Sequence, residues 1–241
     1  MDENQLIAAL PRTDRERLLA ICRPLELQAG QVLCDLGQPL QQLVFPISGT
    51  LVLMAQVDED SMIAVALIGS EGVLGAQALL WPSLHPPTQV DGAAESPNAA
   101  VRAQVQTPGD AWQADSADLR RLLAGSGALR GLFARQLLGM LMTLATAAAC
   151  AHFHQIGPRL ARWLLLCQDR AGVDSFQLTQ AQLAVLLGVR RVGITVAAGV
   201  LQRGGLIGYH RGCVQVLDRP GLEAAACGCR AADALAAAMA A

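Results

Sequence analysis

The sequence predicts an α+β chain in three parts: an N-terminal antiparallel β domain, one long helix, and a C-terminal helical domain closed by a small β hairpin. Three observations predict it. Short apolar runs broken by glycine and proline fill residues 25–80, the texture of antiparallel strands. A three/four apolar spacing then runs from Leu129 to about His154, which is helical in period and too long for a strand. Finally, residues 178–217 hold two short helical patterns around a glycine, followed by two apolar runs that flank a turn.

Composition sets the bounds. A chain of 241 residues with 53 % hydrophobic and 16 % charged residues has room for real cores and is no disordered tail. All 18 basic residues are arginine, and no function is read from that. The net charge of −2 is unevenly spread: residues 1–151 hold nine arginines against fifteen acids, and residues 152–241 hold nine against five. A polyanionic partner is therefore expected for the C-terminal part alone. Met1–Asn4 is acidic where a secretory signal would be basic. The longest uncharged apolar run, Leu137–Ala151, is shorter than the roughly 18–20 residues of a bilayer span. A cytoplasmic protein without a membrane partner is expected. The seven scattered cysteines (Cys22, Cys34, Cys150, Cys167, Cys213, Cys227, Cys229) then read as reduced core thiols.

Along the chain, Thr13–Cys22 predicts a helix with Asp14 and Glu16 near its positive end. Strands are expected at Gln31–Cys34, Gln42–Ile47, Thr50–Gln56 and Met62–Ile68, with turns at Gly30, Gly37, Gly49 and Gly69. Trp81–Ala100 holds four prolines and predicts a mobile loop. Strands resume at Val101–Val105 and Asp110–Gln113, and Ser116–Leu123 predicts a helix capped by Ser116. On the long helix, Leu129, Phe133, Leu137, Met140, Leu141, Leu144 and Ala148 share one face. That face is either the core side of a monomer or a dimer seam, and the motif downstream favours the seam. Pro158 starts the next helix, with Leu160, Trp163, Leu164 and Cys167 inward and Arg159, Arg162 and Arg170 outward. The residues after Leu222 are alanine-rich, and the last ten or so are expected to fray. The boundaries are 1–128, 129–155, 156–221 and a tail at 222–241.

The chemistry lies in residues 178–217. Thr179 and Gln182 form a capping box at the start of a helix, Gln180–Leu187. Counting from Gln180, a small residue stands at place five (Ala184), glycine at nine (Gly188) and a β-branched residue at fifteen (Ile194). Ala184 leaves room for a second helix to cross, Gly188 allows the sharp turn, and Ile194 locks the crossing. This is the spacing of a helix-turn-helix. Arg190 and Arg191 open its second helix, the end that meets base edges in the major groove, where arginine can bond guanine O6 and N7. Gly193 and Thr195 follow on that helix, Thr179 and Gln180 open the first, and Arg159 and Arg162 precede both. Leu206–Tyr209 and Cys213–Leu217 predict a hairpin wing whose His210 and Arg211 would touch the sugar-phosphate backbone. Gly193 and Gly199 are awkward here, because each weakens a helix by roughly 1 kcal/mol relative to alanine. Packing on the first helix must offset that, or the helix orders fully only on DNA.

The order β domain, long helix, winged helix-turn-helix resembles the cyclic-AMP-receptor/fumarate-nitrate-regulator (Crp/Fnr) family over nearly the whole chain. The resemblance is strongest from Arg159 to Leu165, from Leu178 to Arg191 and from Gly205 to Ile207; Gly30, Gly37, Gly49, Gly69 and Gly75 fall where the family's turns have glycine. It implies a cyclic-nucleotide-binding-like β-roll, a homodimer on a palindromic operator, possible contact with RNA polymerase, and an effector pocket near Gly69, Gly72, Gly75, Ala76 and Arg102. Two departures matter. Cyclic-nucleotide members place a glutamate after the glycine matching Gly75 and an arginine later on, whereas this chain has Ala76 and, near the arginine's place, Ala99 and Ala100. Control by cyclic AMP is therefore not expected. Val192 and Val196 stand where better-known members have glutamate and arginine, so the operator should differ.

Other chemistries find little support. Cys22 and Cys34 cannot supply the four thiolates an iron-sulfur cluster usually needs. Cys150 and His154 lie one helical turn apart, and the Cys227–Cys229 spacing is tight for a zinc pair; neither is read as a metal site, and no cofactor is expected. No nucleophile elbow, phosphate loop or paired carboxylates point to an enzyme. The alternative reading is a ligand- or redox-sensing (haem or metal) β-roll protein with weakened DNA binding.

Overall fold

The computed structural model describes residues 3–59, 61–79 and 97–240. Two short helices, α1 (Gln5–Ala8) and α2 (Arg12–Ile21), precede seven strands: β1 (Arg23–Leu27), β2 (Val32–Cys34), β3 (Gln42–Pro46), β4 (Thr50–Gln56), β5 (Met62–Ile68), β6 (Arg102–Thr107) and β7 (Gly109–Asp115). A 3₁₀ turn at Ala76–Leu79 follows β5. The strands form two antiparallel sheets, ordered β1-β7-β3 and β2-β6-β4-β5, with Leu27, Val44, Leu51, Leu53, Ile68 and Val105 in the core of the β domain.

Helices α3 (Ser116–Gly125) and α4 (Gly127–Phe153) follow. Asp115, not Ser116, caps α3 by accepting from the Ala117 amide; Ser116 is itself buried. The C-terminal part comprises α5 (Ile156–Ala171), β8 (Ser175–Gln177), α6 (Gln180–Leu187), α7 (Arg191–Arg203), β9 (Ile207–His210), β10 (Cys213–Val216), α8 (Arg219–Ala225) and α9 (Cys229–Ala240). Strand β8 pairs with β10 to make a third sheet, β8-β10-β9. Most of the predicted loop 81–100 lies outside the described residues; its last part is pinned, since the Ala99 amide donates to Gln38 O at 2.8 Å.

Strand β4 shows how the parts join. Its run Thr50–Met54 is buried without interruption, where a half-solvated strand would alternate. Leu51 and Leu53 point into the β domain, while Val52 and Met54, with Leu67 of β5, belong to the core of the C-terminal helices beside Leu160, Leu164, Leu183 and Ile194. The outer face of the four-stranded sheet is thus the floor of the C-terminal domain. Helix α5 is consequently covered all round: every residue from Leu160 to Gln168 is buried.

Two tail and helix expectations are corrected. The tail does not fray: α9 packs along α4 and carries a buried Asp233. Helix α4 spans 27 residues and, with Arg130 and Arg135 near its start, is long and apolar enough to cross a membrane by length and composition. Its N-terminal half is instead packed into the protein through Leu129, Leu132 and Phe133. Those residues, with Leu137 and Met140, serve the domain's own cores. The exposed apolar face keeps only the later part of the predicted stripe, Leu141 and Leu144, 63 and 37 % exposed, with Ala148, and adds Leu138, 45 % exposed. A helix that is apolar on every side does not reveal by periodicity which face meets its own core.

Candidate nucleic-acid interface

Helix α6 begins at a complete capping box: Gln182 N donates to Thr179 Oγ1 at 3.2 Å, and Thr179 N donates to Gln182 Oε1 at 2.8 Å. It ends at Gly188, which is left-handed at φ +62°. The turn is reinforced from outside, because the Arg159 guanidinium donates to Leu187 O at 2.5 Å, meeting one of the carbonyls that a helix end leaves bare. The chain then turns by 110° into α7, within the range of helix-turn-helix crossings. Ile194, Ala197, Ala198 and Leu201 face the core, as the spacing of small and β-branched residues predicts.

The opposite face of α7 is open. Arg190 is the N-cap residue, makes no capping bond and is exposed beside an exposed Arg191. Thr195 is exposed but tied down, its hydroxyl donating to Gln180 Oε1 at 2.7 Å. Val192, Val196 and Val200 form an apolar stripe, 71, 64 and 55 % exposed. On the wing, Arg211 at φ +49° and Gly212 at φ +79° make the tight reversal between β9 and β10, the backbone of a primed hairpin turn. This leaves His210 and Arg211 exposed at the tip. The wing is anchored by Tyr209, whose hydroxyl donates to Leu178 O at 2.7 Å. Burial raises that phenol, with the charge of Arg191 acting in the opposite sense. Between α7 and the wing lies a groove of about 570 Å³, lined by Gln180, Arg191, Thr195, Gln202, Tyr209 and Arg211. The arrangement is a concave surface that carries Arg191 and Arg211.

Not every predicted contact is on this surface. Arg162 is 7 % exposed and donates two bonds of 2.6 Å to Asp233. It points into the protein because α9, expected to fray, covers that side of α5. Arg159 serves the turn, and Arg170 pairs with Glu71 of the β domain at 3.2 Å. Gly193 is half-buried, and a Cβ there would stand 2.6 Å from Ile156 Cδ1. The close approach is to α5, not to the first helix of the motif.

Of the residues of the expected effector pocket, Gly69 and Gly72 share one turn, the Gly72 amide donating to Gly69 O at 3.1 Å. Arg102 opens β6 opposite Met54 and is held by Asp35 through bonds of 2.8 and 2.9 Å. Gly69, after β5, lies against the last turn of α5, where a Cβ would come 2.7 Å from Arg170 O. Gly75 presses on the backbone of Gln42 in the same way, at 2.6 Å, and Ala76 is buried beside it.

A model of the Crp-like helix-turn-helix domain matches residues 158–225. The fold is that of the Crp/Fnr regulators. A Crp/Fnr-family transcriptional regulator from Eubacterium rectale is 17 % identical over 91 % of this chain and 96 % of its own, with a TM-score of 0.65. FixK2 from Bradyrhizobium japonicum is 13 % identical over 86 % of this chain and 98 % of its own, with a TM-score of 0.66. CLP of Xanthomonas campestris, described as a c-di-GMP responsive global regulator, is 20 % identical over 86 % of this chain and 99 % of its own, with a TM-score of 0.66. No curated protein matches the sequence. The Crp/Fnr fold accounts for both the antiparallel β domain and the winged helix-turn-helix.

The structure also assembles a cluster that sequence reasoning passed over. Cys150 and His154 at the end of α4 meet Cys227 and Cys229 at the start of α9, with their four donor atoms all within 4.8 Å of one another. The signal was in the sequence as two halves, each too weak alone, separated by the whole helix-turn-helix domain.

Proposed function

We propose that this protein is a sequence-specific transcription regulator that binds a palindromic operator as a homodimer, with the β domain as its sensing part. The observation that carries the reading is the surface of α7 and the wing: Arg191 at the helix start and Arg211 at the wing tip line one groove, with Arg190 and His210 exposed next to them in the chain. Arg190 and Arg191 read base edges in the major groove, Thr179 and Gln180 lie beside them at the start of α6, and the wing meets the phosphates. The valine stripe of α7 offers methyl groups to thymine methyls.

A second copy of the chain covers Leu138, Leu141, Leu144 and Ala148 of α4. Three exposed leucines at helical spacing form the kind of apolar seam that pairs helices, and a two-fold pair of heads would match a two-fold operator. Ala76, and the commitment of Arg102 to Asp35, leave no free charge for a cyclic phosphate at those positions, so the reading is of a regulator not controlled by cyclic AMP. Contact with RNA polymerase and a cytoplasmic location follow from the same role.

The test is selection of bound sequences from random DNA, followed by binding measured across a salt series. Regulators of this kind give a palindromic consensus and an affinity that falls steeply as salt rises. A protein that enriches no sequence and shows no salt-sensitive binding would support the alternative, a ligand-sensing β protein with a weakened head.

A further inference from the structure

We propose that Cys150, His154, Cys227 and Cys229 form a tetrahedral zinc site that ties the C-terminal helix α9 to the end of the long helix α4. Cys150 Sγ and Cys227 Sγ are 3.5 Å apart, and Cys229 Sγ and His154 Nδ1 are 3.5 Å apart. A zinc ion with Zn–S of about 2.3 Å and Zn–N of about 2.0–2.1 Å sets its ligand atoms about 3.5–3.8 Å apart at tetrahedral angles. Two opposite edges of that tetrahedron are thus already close to length, and all four atoms lie within 4.8 Å of one another.

The donor chemistry narrows the ion. Three thiols and one imidazole are a soft set, unsuited to magnesium or calcium and among the usual structural zinc sets. The local backbone explains how a two-residue cysteine spacing can serve. Helix α8 has ended before Cys227 and α9 begins at Cys229, so the two cysteines stand across a break between helices, where the Cys227 amide donates to Pro158 O at 3.3 Å. On α4, Cys150 and His154 are one turn apart, and the His154 amide still bonds Cys150 O at 3.2 Å.

The surroundings suit a charged centre. Three thiolates and one Zn²⁺ carry a net charge of −1. The Arg162 guanidinium lies close enough to Cys150 for their charges to interact and is itself fixed by Asp233, the place of an outer partner that orients metal ligands. Cys150 and Cys227 are buried, and Cys229 and His154 half-buried, which leaves a route for the ion from one side. An ion here would fasten three segments at the point where α4 hands over to the DNA-binding head: the end of α4, the start of α5 through Pro158, and α9.

The experiment uses the full chain, purified under reducing conditions without a metal-affinity tag or chelator. Elemental analysis should find about one zinc per chain. Stripping the zinc and adding Co²⁺ should give the visible bands of a tetrahedral site with thiolate-to-cobalt charge transfer. Cys229→Ser, at the half-exposed start of α9, should weaken zinc binding by at least about 100-fold, a ligand counting for no less than the outer partners whose loss costs 10–100-fold. Cys213→Ser, on the wing, should leave binding unchanged. Fully reduced protein that takes up neither zinc nor cobalt would overturn the proposal. So would a Cys150–Cys227 disulfide formed with no metal retained, or an octahedral cobalt spectrum. If Cys150→Ser fails to fold, the wild-type cobalt spectrum and Cys229→Ser still decide the question.

Discussion

Gly193 of α7 lies against Ile156 of α5: a methyl group built on Gly193 would stand 2.6 Å from Ile156 Cδ1. The glycine that weakens the recognition helix by propensity leaves room for the end of the Ile156 side chain. Gly199, six residues on, meets only the flexible end of Arg203, at 3.3 Å. The two glycines therefore have different physical reasons. Gly199→Ala should raise stability by about 0.5–1 kcal/mol. Gly193→Ala should fall short of that gain in the native background and recover it when Ile156→Val removes Cδ1. Denaturant melts of the four-member cycle measure this; the same gain at both glycines with Ile156 intact would show that the contact does not constrain α7.

Arg162 and Asp233 form a buried pair, their side chains 9 and 2 % exposed. Removing either partner leaves an uncompensated charge inside the protein, which is destabilising by about 3–5 kcal/mol. Asp233→Ala should therefore lower the thermal midpoint strongly. Arg162→Met combined with Asp233→Leu should lower it much less. An exposed pair such as Arg12–Glu16 should change stability by less than about 1 kcal/mol when broken.

The exposed and buried leucines of α4 should respond oppositely. Leu141→Glu, on the open face, should leave the fold intact and turn a dimer into a monomer by light scattering. Phe133→Ala, in the core beside Phe45, should destabilise folding by about 3–5 kcal/mol. A Leu141→Glu chain that stays dimeric would place the interface elsewhere.

Arg191 and Arg211 should separate base reading from backbone contact. Arg191→Ala is expected to weaken operator binding by roughly 1–3 kcal/mol and to relax preference at one base position. Arg211→Ala should weaken binding about equally on all sequences and reduce the salt slope by about one. Identical behaviour of the two variants would remove the distinction.

What could be read from the sequence was what neighbouring residues decide together. The capping box at Thr179 and Gln182, the left-handed Gly188, the inward Ile194 and the reversal at Arg211 and Gly212 are local, so the helix-turn-helix and its wing were legible down to the bounds of α6. Strands β4 and β5 were legible for the same reason, as apolar runs ended by turn residues.

Only the tertiary structure decided which faces are covered. The sequence placed Arg162 outward because it could not foresee that α9 folds back along α4 and closes over α5. It ran the seam of α4 from Leu129 to Ala148, when the β domain takes Leu129 and Phe133 and leaves open only the later part, Leu141, Leu144 and Ala148, with Leu138 beside it. It also left Cys150 and His154 apart from Cys227 and Cys229. Burial and ligand geometry depend on what arrives from far along the chain, and a pattern that repeats every three or four residues carries no record of it.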